Sequence, residues 1–343
     1  MKAVIVKAWG GVENLVVSDL PDPKPGPGQA LVRVRACALN HLDLWVREGI
    51  PAYRIKLPHR LGCDVAGEIV ELGPGVESFK VGDRVIVAPG RSCRRCEACL
   101  RGRDNLCDQY GVMGEKGGWG GYAELLVVPE AYLLPLPESL SDEQAAAFPL
   151  TFMTAWHMLI SLGCCGPDQW VLVLGAGSGV GVAAIQIAKL AGARVIAAST
   201  SEQKLEKARA LGADATVLAP AEDLVKRTRA LTAGRMADIA FEHVGPATFS
   251  AALKSLRPGG KLITCGASTG PIVELDLRYV FARQYQILGS TMGTLAELRQ
   301  VTRLVGEGRL KPVIDRSFPL EEARQAHEYL AQKRQFGKVL LKP

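Results

Sequence analysis

At 343 residues the chain is longer than one hydrophobic core usually supports, so two domains are expected, each large enough for its own core. Hydrophobic residues make up 48% and charged residues 22%, which excludes a disordered chain, and a formal charge of +6 spread along the sequence reads as a solvated surface rather than a nucleic-acid footprint. No apolar run approaches the roughly 18 residues of a membrane span, and the opening MKAVIVKAWGG lacks the apolar core of a signal peptide, so a cytoplasmic protein without membrane partners is expected.

The first half reads as short β segments separated by turns: KAVIVKAW, the loop PDPKPGPGQ, ALVRVRACAL, GEIVELGPGV and DRVIVAP. Their alternating apolar residues predict an antiparallel barrel or sandwich. From about Ser141 the texture changes to a helix-length apolar stretch, DEQAAAFPLTFMTAWHML, followed by strand-like WVLVLG and helix-like GVAAIQIAKLAG. The alternation continues through ARVIAAS, SEQKLEKARALGA, ADIAFEHV, PATFSAALKSLRPGG and KLITCGA, which is the pattern of a parallel, doubly wound sheet. After QYQILGSTM come helix LAELRQVTRLVGEG, the strand-like SFPL region, helix EEARQAHEYLAQ and a terminal GKVLLKP, a tail expected to rejoin the first domain.

Between the strand Val171–Leu174 and the helix that follows lies Gly175-Ala-Gly177-Ser178-Gly179-Val180-Gly181. Strand, glycine turn and helix together place backbone N–H groups and the positive end of the helix against a pyrophosphate. The spacing departs from the strict G-x-G-x-x-G, because counting back from Gly181 puts Ser178 at the middle glycine and Ala176 at the first. A serine there still offers a donor to phosphate. A turn that only lets the helix pack closely on the strand is the structural alternative. At the end of the next strand an NAD-specific site would carry Asp or Glu, whereas this chain has Ala198-Ser199-Thr200-Ser201, with Lys204 one helical turn on. Without the acid a 2′-phosphate is not repelled, so NADP is preferred over NAD. The same Ser/Thr run could equally be an ordinary helix N-cap.

Of nine cysteines, Cys93, Cys96, Cys99 and Cys107 crowd into one Arg-rich segment, while Cys37, Cys63, Cys164, Cys165 and Cys265 are scattered without a disulfide framework. Four thiolates in a short loop match the closed tetrahedral demand of one structural Zn²⁺, with iron–sulfur ligation the main rival. Arg94, Arg95, Arg101 and Arg103 favour the thiolate form. A nucleic-acid zinc module lacks support, since neither aromatic interleaving nor a recognition helix accompanies them.

Taken together, the C-x2-C-x2-C-x7-C lobe and the glycine turn resemble the medium-chain dehydrogenase/reductase superfamily, which includes zinc-type alcohol dehydrogenases and quinone oxidoreductases. Gly62-Cys63-Asp64-Val-Ala-Gly67, Val81-Gly82-Asp83-Arg84-Val85 and the closing Gly337-Lys338-Val339 stand in the order that family uses, so the resemblance covers nearly the whole chain. It implies an α/β protein with a GroES-like β-rich catalytic domain over 1–150 and 292–343, carrying the zinc lobe at about 90–110, and a Rossmann dinucleotide-binding domain over 151–291. In zinc-dependent members the catalytic metal is held by a Cys in C-H-x-D, a His in G-H-E-x-x-G and a later Cys or acid. Those positions here are Asn40, in Asn-His41-Leu-Asp43, then Cys63, and Leu150. The resemblance therefore implies that the inherited catalytic zinc site is absent, with Cys63 and a neighbour such as His59 or Asp43 left as donors for a rearranged one. It also places the cofactor near His243, Val244, Gly245, Cys265, Ser290 and Met292.

Two activities follow. The overall organisation implies hydride transfer between NAD(P)(H) and a small alcohol, aldehyde or ketone. Loss of the Lewis acid implies instead an NADPH-dependent reductase of activated C=C bonds, an enone or quinone, in which donors such as Asn40, His41 or Tyr53 stabilise the enolate oxygen. For each of these a satisfied structural polar group is the alternative, and Cys63 reads equally as a small buried hydrophobe. A non-catalytic nucleotide-binding protein is a further possibility. The expected assembly is a homodimer or homotetramer.

Overall fold

The computed structural model describes residues 1–49, 55–116 and 118–343, and Tyr53 lies outside the described residues. Two compact units divide the chain: Met1–Leu150 with Thr294–Gly308 and Pro312–Pro343, and Thr151–Gly293 with Arg309–Lys311.

In the first unit the organising strand is Gln29–Ala38, whose residues from Ala30 to Ala38 are buried except for Arg33 and Arg35. It pairs antiparallel with Asp64–Leu72 on one side and with the tail strand Lys338–Lys342 on the other, and Leu125–Pro129 also pairs with its first half. The sheet continues through Arg84–Val87 to Leu133–Pro135 and, beyond the tail strand, to Ile314–Pro319. The expectation of antiparallel pairing meets one exception, the parallel pair Ile314–Pro319 with Lys338–Lys342, because the helix Ala323–Ala331 lies between those two strands and returns the chain in the same direction. The tail thus supplies two strands, and Leu340 and Leu341 stand opposite Ala38 and Cys37.

Three strand ends meet as a result. Asp64 opens its strand opposite Ala38, Asn40 follows two residues after Ala38, and the Leu39 N–H donates to the Val339 carbonyl at 2.8 Å. Asn40, Asp64 and Lys338 are therefore neighbours although they come from three distant parts of the sequence. Gly62, at φ +93°, makes the approach possible: a Cβ there would lie 2.5 Å from the Tyr122 ring and 2.6 Å from the Cys37 sulfur.

The second unit is a six-stranded parallel sheet in the spatial order Ala215–Leu218, Arg194–Ser199, Trp170–Val173, Ala237–Glu242, Leu256–Thr264, Gln286–Gly289. The strand order reverses between Trp170–Val173 and Ala237–Glu242, and open sheets of this kind bind ligands at such a point, beyond the carboxyl ends of the strands. The apolar stretch that follows Ser141 is not one helix. Asp142–Ala146 ends before Pro149, which starts the next helix, Pro149–Trp156, and His157–Leu162 continues it as a π-helical segment. Proline lacks the N–H that a helix interior requires but fits the first helical position, so the break falls there.

Candidate active site

The cysteine lobe is built by a run of tight turns. Cys96 precedes the short helix Glu97–Leu100, and Cys107 follows the turn Asp104–Leu106. The four sulfurs lie within 4.8 Å of one another, and no other group of three or more His, Cys, Asp or Glu side chains among the described residues gathers in this way. Backbone N–H groups point at the sulfurs: Cys93 N and Gln109 N donate to Cys107 Sγ at 3.4 and 3.3 Å, and Cys96 N donates to Cys93 Sγ at 3.3 Å. The Arg95 and Cys96 amides pull the Cys93 thiol down to about 6, so one thiolate is available at neutral pH before any metal arrives. This donor set fits a single tetrahedral Zn²⁺. The lobe is tied to the tail helix Leu295–Gly306, because Leu295 N donates to Asp104 Oδ2 at 3.2 Å.

The second cluster is different in kind. Asn40, Asp43, Cys63, Asp64 and Lys338 are all buried. Lys338 Nζ donates to Asn40 Oδ1 at 2.6 Å and to Asp64 Oδ2 at 3.0 Å, and Asn40 Nδ2 donates to Asp64 Oδ2 at 2.9 Å and to Cys63 Sγ at 3.3 Å. Asp64 Oδ1 accepts the Leu150 N–H at 2.8 Å. Asp43 accepts the backbone N–H of Asn40 at 2.7 Å and of Gly62 at 3.0 Å, and burial raises its carboxyl to about 6. Burial likewise pushes the Cys63 thiol well above its ordinary value. His41 begins the helix His41–Glu48, partly exposed, with its ring edge-on to Trp45 at 5.0 Å.

In the second unit the glycine turn stands at the carboxyl end of Trp170–Val173. Gly175 has φ +58°, and a Cβ on it would lie 2.8 Å from the His243 ring. Gly177 lies in the turn, and Gly179, Val180 and Gly181 form the first turn of the helix Gly179–Leu190. Ser178 is its N-cap, with Oγ accepting the Gly181 N–H at 2.9 Å and lying 3.1 Å from His243 Nε2, across the point where the strand order reverses. Ser199 ends the neighbouring strand, its Oγ accepting the Ser201 N–H at 3.3 Å. Thr200 follows it, and Lys204 lies in the first turn of the helix Glu202–Ala210. Ser201 stands at the N-cap position without a side-chain cap bond, so the Ser/Thr run is not a conventional cap.

The remaining candidates gather at the same end of the sheet. The Val244 N–H donates to the buried Glu242 at 2.8 Å, and the Cys265 N–H to the Glu242 carbonyl at 3.2 Å. The Ser290 N–H donates to the Thr264 carbonyl at 2.8 Å, while its buried Oγ has no partner among the described residues. Desolvation pushes the Cys265 thiol up to about 12, so Cys265 is inert as a nucleophile. Met292 holds a left-handed backbone at φ +49°.

Comparison with known proteins agrees with both halves. Residues 26–138 match the alcohol dehydrogenase GroES-like domain, and residues 179–307 match the zinc-binding dehydrogenase family. The chain is 33% identical to an alcohol dehydrogenase of Geobacillus stearothermophilus, covering 100% of this chain and 99% of that protein, and 34% identical to an acryloyl-coenzyme A reductase of Metallosphaera sedula, covering 99% of each. A crystal structure described as a NAD-dependent alcohol dehydrogenase superposes with a TM-score of 0.97 at 50% identity over 100% of both chains. The chain belongs to the zinc-type alcohol dehydrogenase family of medium-chain dehydrogenases/reductases. It is a nicotinamide-dependent oxidoreductase of the alcohol dehydrogenase type.

Within this dehydrogenase fold the two candidate metal positions part company. The lobe fits zinc, as its donor set requires. The cluster around Asn40 does not: Asn40 turns its carbonyl oxygen to an ammonium and its amide hydrogens to Asp64 and Cys63, and Leu150 offers no side-chain donor. The rearranged site considered around Cys63 fails as well. His59 Nε2 lies 3.0 Å from the Gly114 carbonyl, both Asp43 oxygens accept backbone N–H groups, and no described metal-capable group contains Cys63. Lys338 is the residue that sequence reasoning missed. The only signal was its place in the closing Gly337-Lys338-Val339.

Proposed function

We propose that this oxidoreductase reduces activated C=C bonds, those of enones, quinones or enoyl thioesters, without a metal at the reacting oxygen. The observation behind this reading is the cluster of Asn40, Cys63, Asp64 and Lys338, whose side chains hydrogen-bond one another and hold an ammonium rather than a set of ligands turned to a metal. A bound nicotinamide cofactor supplies the hydride that reaches the β carbon. The protein must then stabilise the enolate oxygen and return a proton to the α carbon. Asn40 has both amide hydrogens engaged, so this role passes to His41, whose imidazole is partly exposed. Gly175, Gly177, Ser178, Gly179, Val180 and Gly181 hold the pyrophosphate, and Val244, Cys265, Ser290 and Met292 line the nicotinamide end. Ser199, Thr200 and Lys204 favour NADPH, since no acid repels a 2′-phosphate.

The name of the 50% identical structure supports a second reading, interconversion of a small alcohol with its aldehyde or ketone. Zinc-quantified enzyme assayed with NADPH and NADH separates the two. One zinc per chain and turnover of enones or enoyl thioesters are expected, whereas turnover confined to aldehydes and ketones defeats the reductase reading.

A homodimer completes the proposal. Gln286–Gly289 is an open edge strand of the second sheet, flanked by exposed Ile272, Leu277, Phe281 and Ile287, the combination that pairs with a second copy. Light scattering should show a dimer that Ile287→Lys with Phe281→Glu converts to a monomer. A wild-type monomer overturns this part. The cysteines outside the lobe carry free thiols, in keeping with a reducing cytoplasm.

A further inference from the structure

Two guanidinium groups of the first unit stand apart from every ion pair described above. Arg60 is only 3% exposed, yet among the described residues its Nε and Nη1 have no hydrogen-bond partner. Its guanidinium carbon lies 5.2 Å from the centre of the Trp119 ring, which is 46% exposed. Among the described residues the buried Arg91 Nε has no hydrogen-bond partner and Nη2 reaches the weak acceptor Met113 Sδ at 3.6 Å, while the guanidinium carbon lies 6.0 Å from the centre of the Tyr132 ring. A Cβ built on Gly118 would lie 3.6 Å from Arg91 Nη1, so Arg91 borders the backbone next to the Trp119 ring that covers Arg60. Burial lowers both arginines' proton affinity, Arg60 to about 10, and among the described residues neither forms an ion pair with a carboxylate. Buried charges are ordinarily paired, and an arginine left without an acceptor is costly. The cation–π contact offsets only part of that cost.

We propose that Arg60 and Arg91, on either side of Gly118 and Trp119, form a binding site for an oxyanion group, a carboxylate or a phosphoryl, carried by the substrate. Guanidinium donors match both chemistries, and the exposed indole is the removable cover over Arg60. Assigning the oxyanion to the substrate rests on the reductase reading above. The anion site itself stands on the unpartnered donors.

The test is binding rather than turnover. Zinc-loaded full-length protein is titrated by calorimetry with crotonate, coenzyme A and inorganic phosphate, and with crotonamide as the neutral control. Saturable binding of at least one anion and none of crotonamide is expected, with affinity falling about tenfold or more in Arg60→Met and in Arg91→Met. Crotonate alone would name a carboxylate; coenzyme A or phosphate would name a phosphoryl group. Should Arg60→Met fail to fold, Arg60→Lys, which keeps the charge but loses the planar donor array, decides in the same way. Binding that is equally tight in all variants, or no anion binding at all, overturns the proposal. Protein that binds the anion yet reduces no enone keeps this site and loses the reductase reading; the reverse result does the opposite.

Discussion

The first unit holds two arrangements for a positive charge, one partly exposed and one buried, and they solve the problem in opposite ways. The lobe of Cys93, Cys96, Cys99 and Cys107 offers four soft donors whose sulfurs lie within 4.8 Å of one another, so the cation it fits is a metal taken from solution. The cluster of Asn40, Cys63 and Asp64 already contains its cation, the Lys338 ammonium, attached to the chain and bonded at 2.6 and 3.0 Å. The contrast teaches that family membership and mechanism are written in different donor sets. A lobe that marks the lineage is complete, while on the reductase reading proposed above the cluster around Asn40 works through hydrogen bonds among side chains instead of a metal.

Removing the metal from the lobe should have the largest effect. Structural zinc binds with an apparent free energy of about 10 kcal/mol or more in small sites, so Cys107→Ser or prolonged chelation should abolish metal content and lower the melting temperature together. Atomic emission and thermal melts check this. A zinc-free protein with an unchanged melt would end the comparison, since the lobe would then be no more dependent on an outside cation than the Lys338 cluster.

A third group, buried and kept without charge, sharpens it. His327 is fully buried, with Nε2 3.1 Å from Tyr122 Oη and Nδ1 3.3 Å from Arg47 Nη1. Burial, aided by the Arg47 charge, lowers its pKa to about 3. Its folded value is depressed below the unfolded one, so for this base the stabilisation is fully present above about pH 6.5 and disappears as pH falls towards 3, a change of about 5 kcal/mol. Denaturant melts between pH 7 and 4 should show about 3 kcal/mol of that loss, and His327→Gln should flatten it. Parallel pH profiles for the two proteins would remove His327 from the argument.

Breaking the internal ion pair comes next. Lys338→Met leaves Asp64 buried without its cation and should cost about 3–5 kcal/mol, most of it regained when Asp64→Asn is added. A single variant as stable as wild type would show that the ammonium is not what compensates Asp64. The smallest effect concerns the second unit: Ser199→Asp should shift the kcat/KM preference from NADPH towards NADH by about tenfold or more, the equivalent of one charge repulsion near the ribose.

Much of this was legible in the sequence, for identifiable reasons. The cysteine lobe spans a short segment, so spacing alone displayed the ligand set. The alternation of strand and helix after Trp170 is local as well, and the glycine turn announced itself by composition. What escaped notice was either long-range or irregular. Asn40 could be weighed as an enolate donor because nothing nearby revealed that Lys338, 298 residues on, would occupy its carbonyl. His157 is partly exposed where the π-helical segment begins, and the apolar run before it looked continuous because hydrophobic period does not register a proline at a helix start. Ser178 was read as a phosphate donor, yet its hydroxyl also caps its own helix and faces His243. Arg60 and Arg91 gave no signal at all, since isolation from acids is a property of three dimensions.

The tail strand Lys338–Lys342 also sets an order of events during synthesis. All of Thr151–Gly293 leaves the ribosome before it, so the parallel sheet can close as soon as Gln286–Gly289 emerges. The first unit must wait, with Asp64 uncompensated and the Ala38 edge unpaired, until a strand 274 residues downstream of Asp64 arrives. The half of the protein that begins first is therefore the half that finishes last, and the interval in which its core stands open is measured by the length of the other.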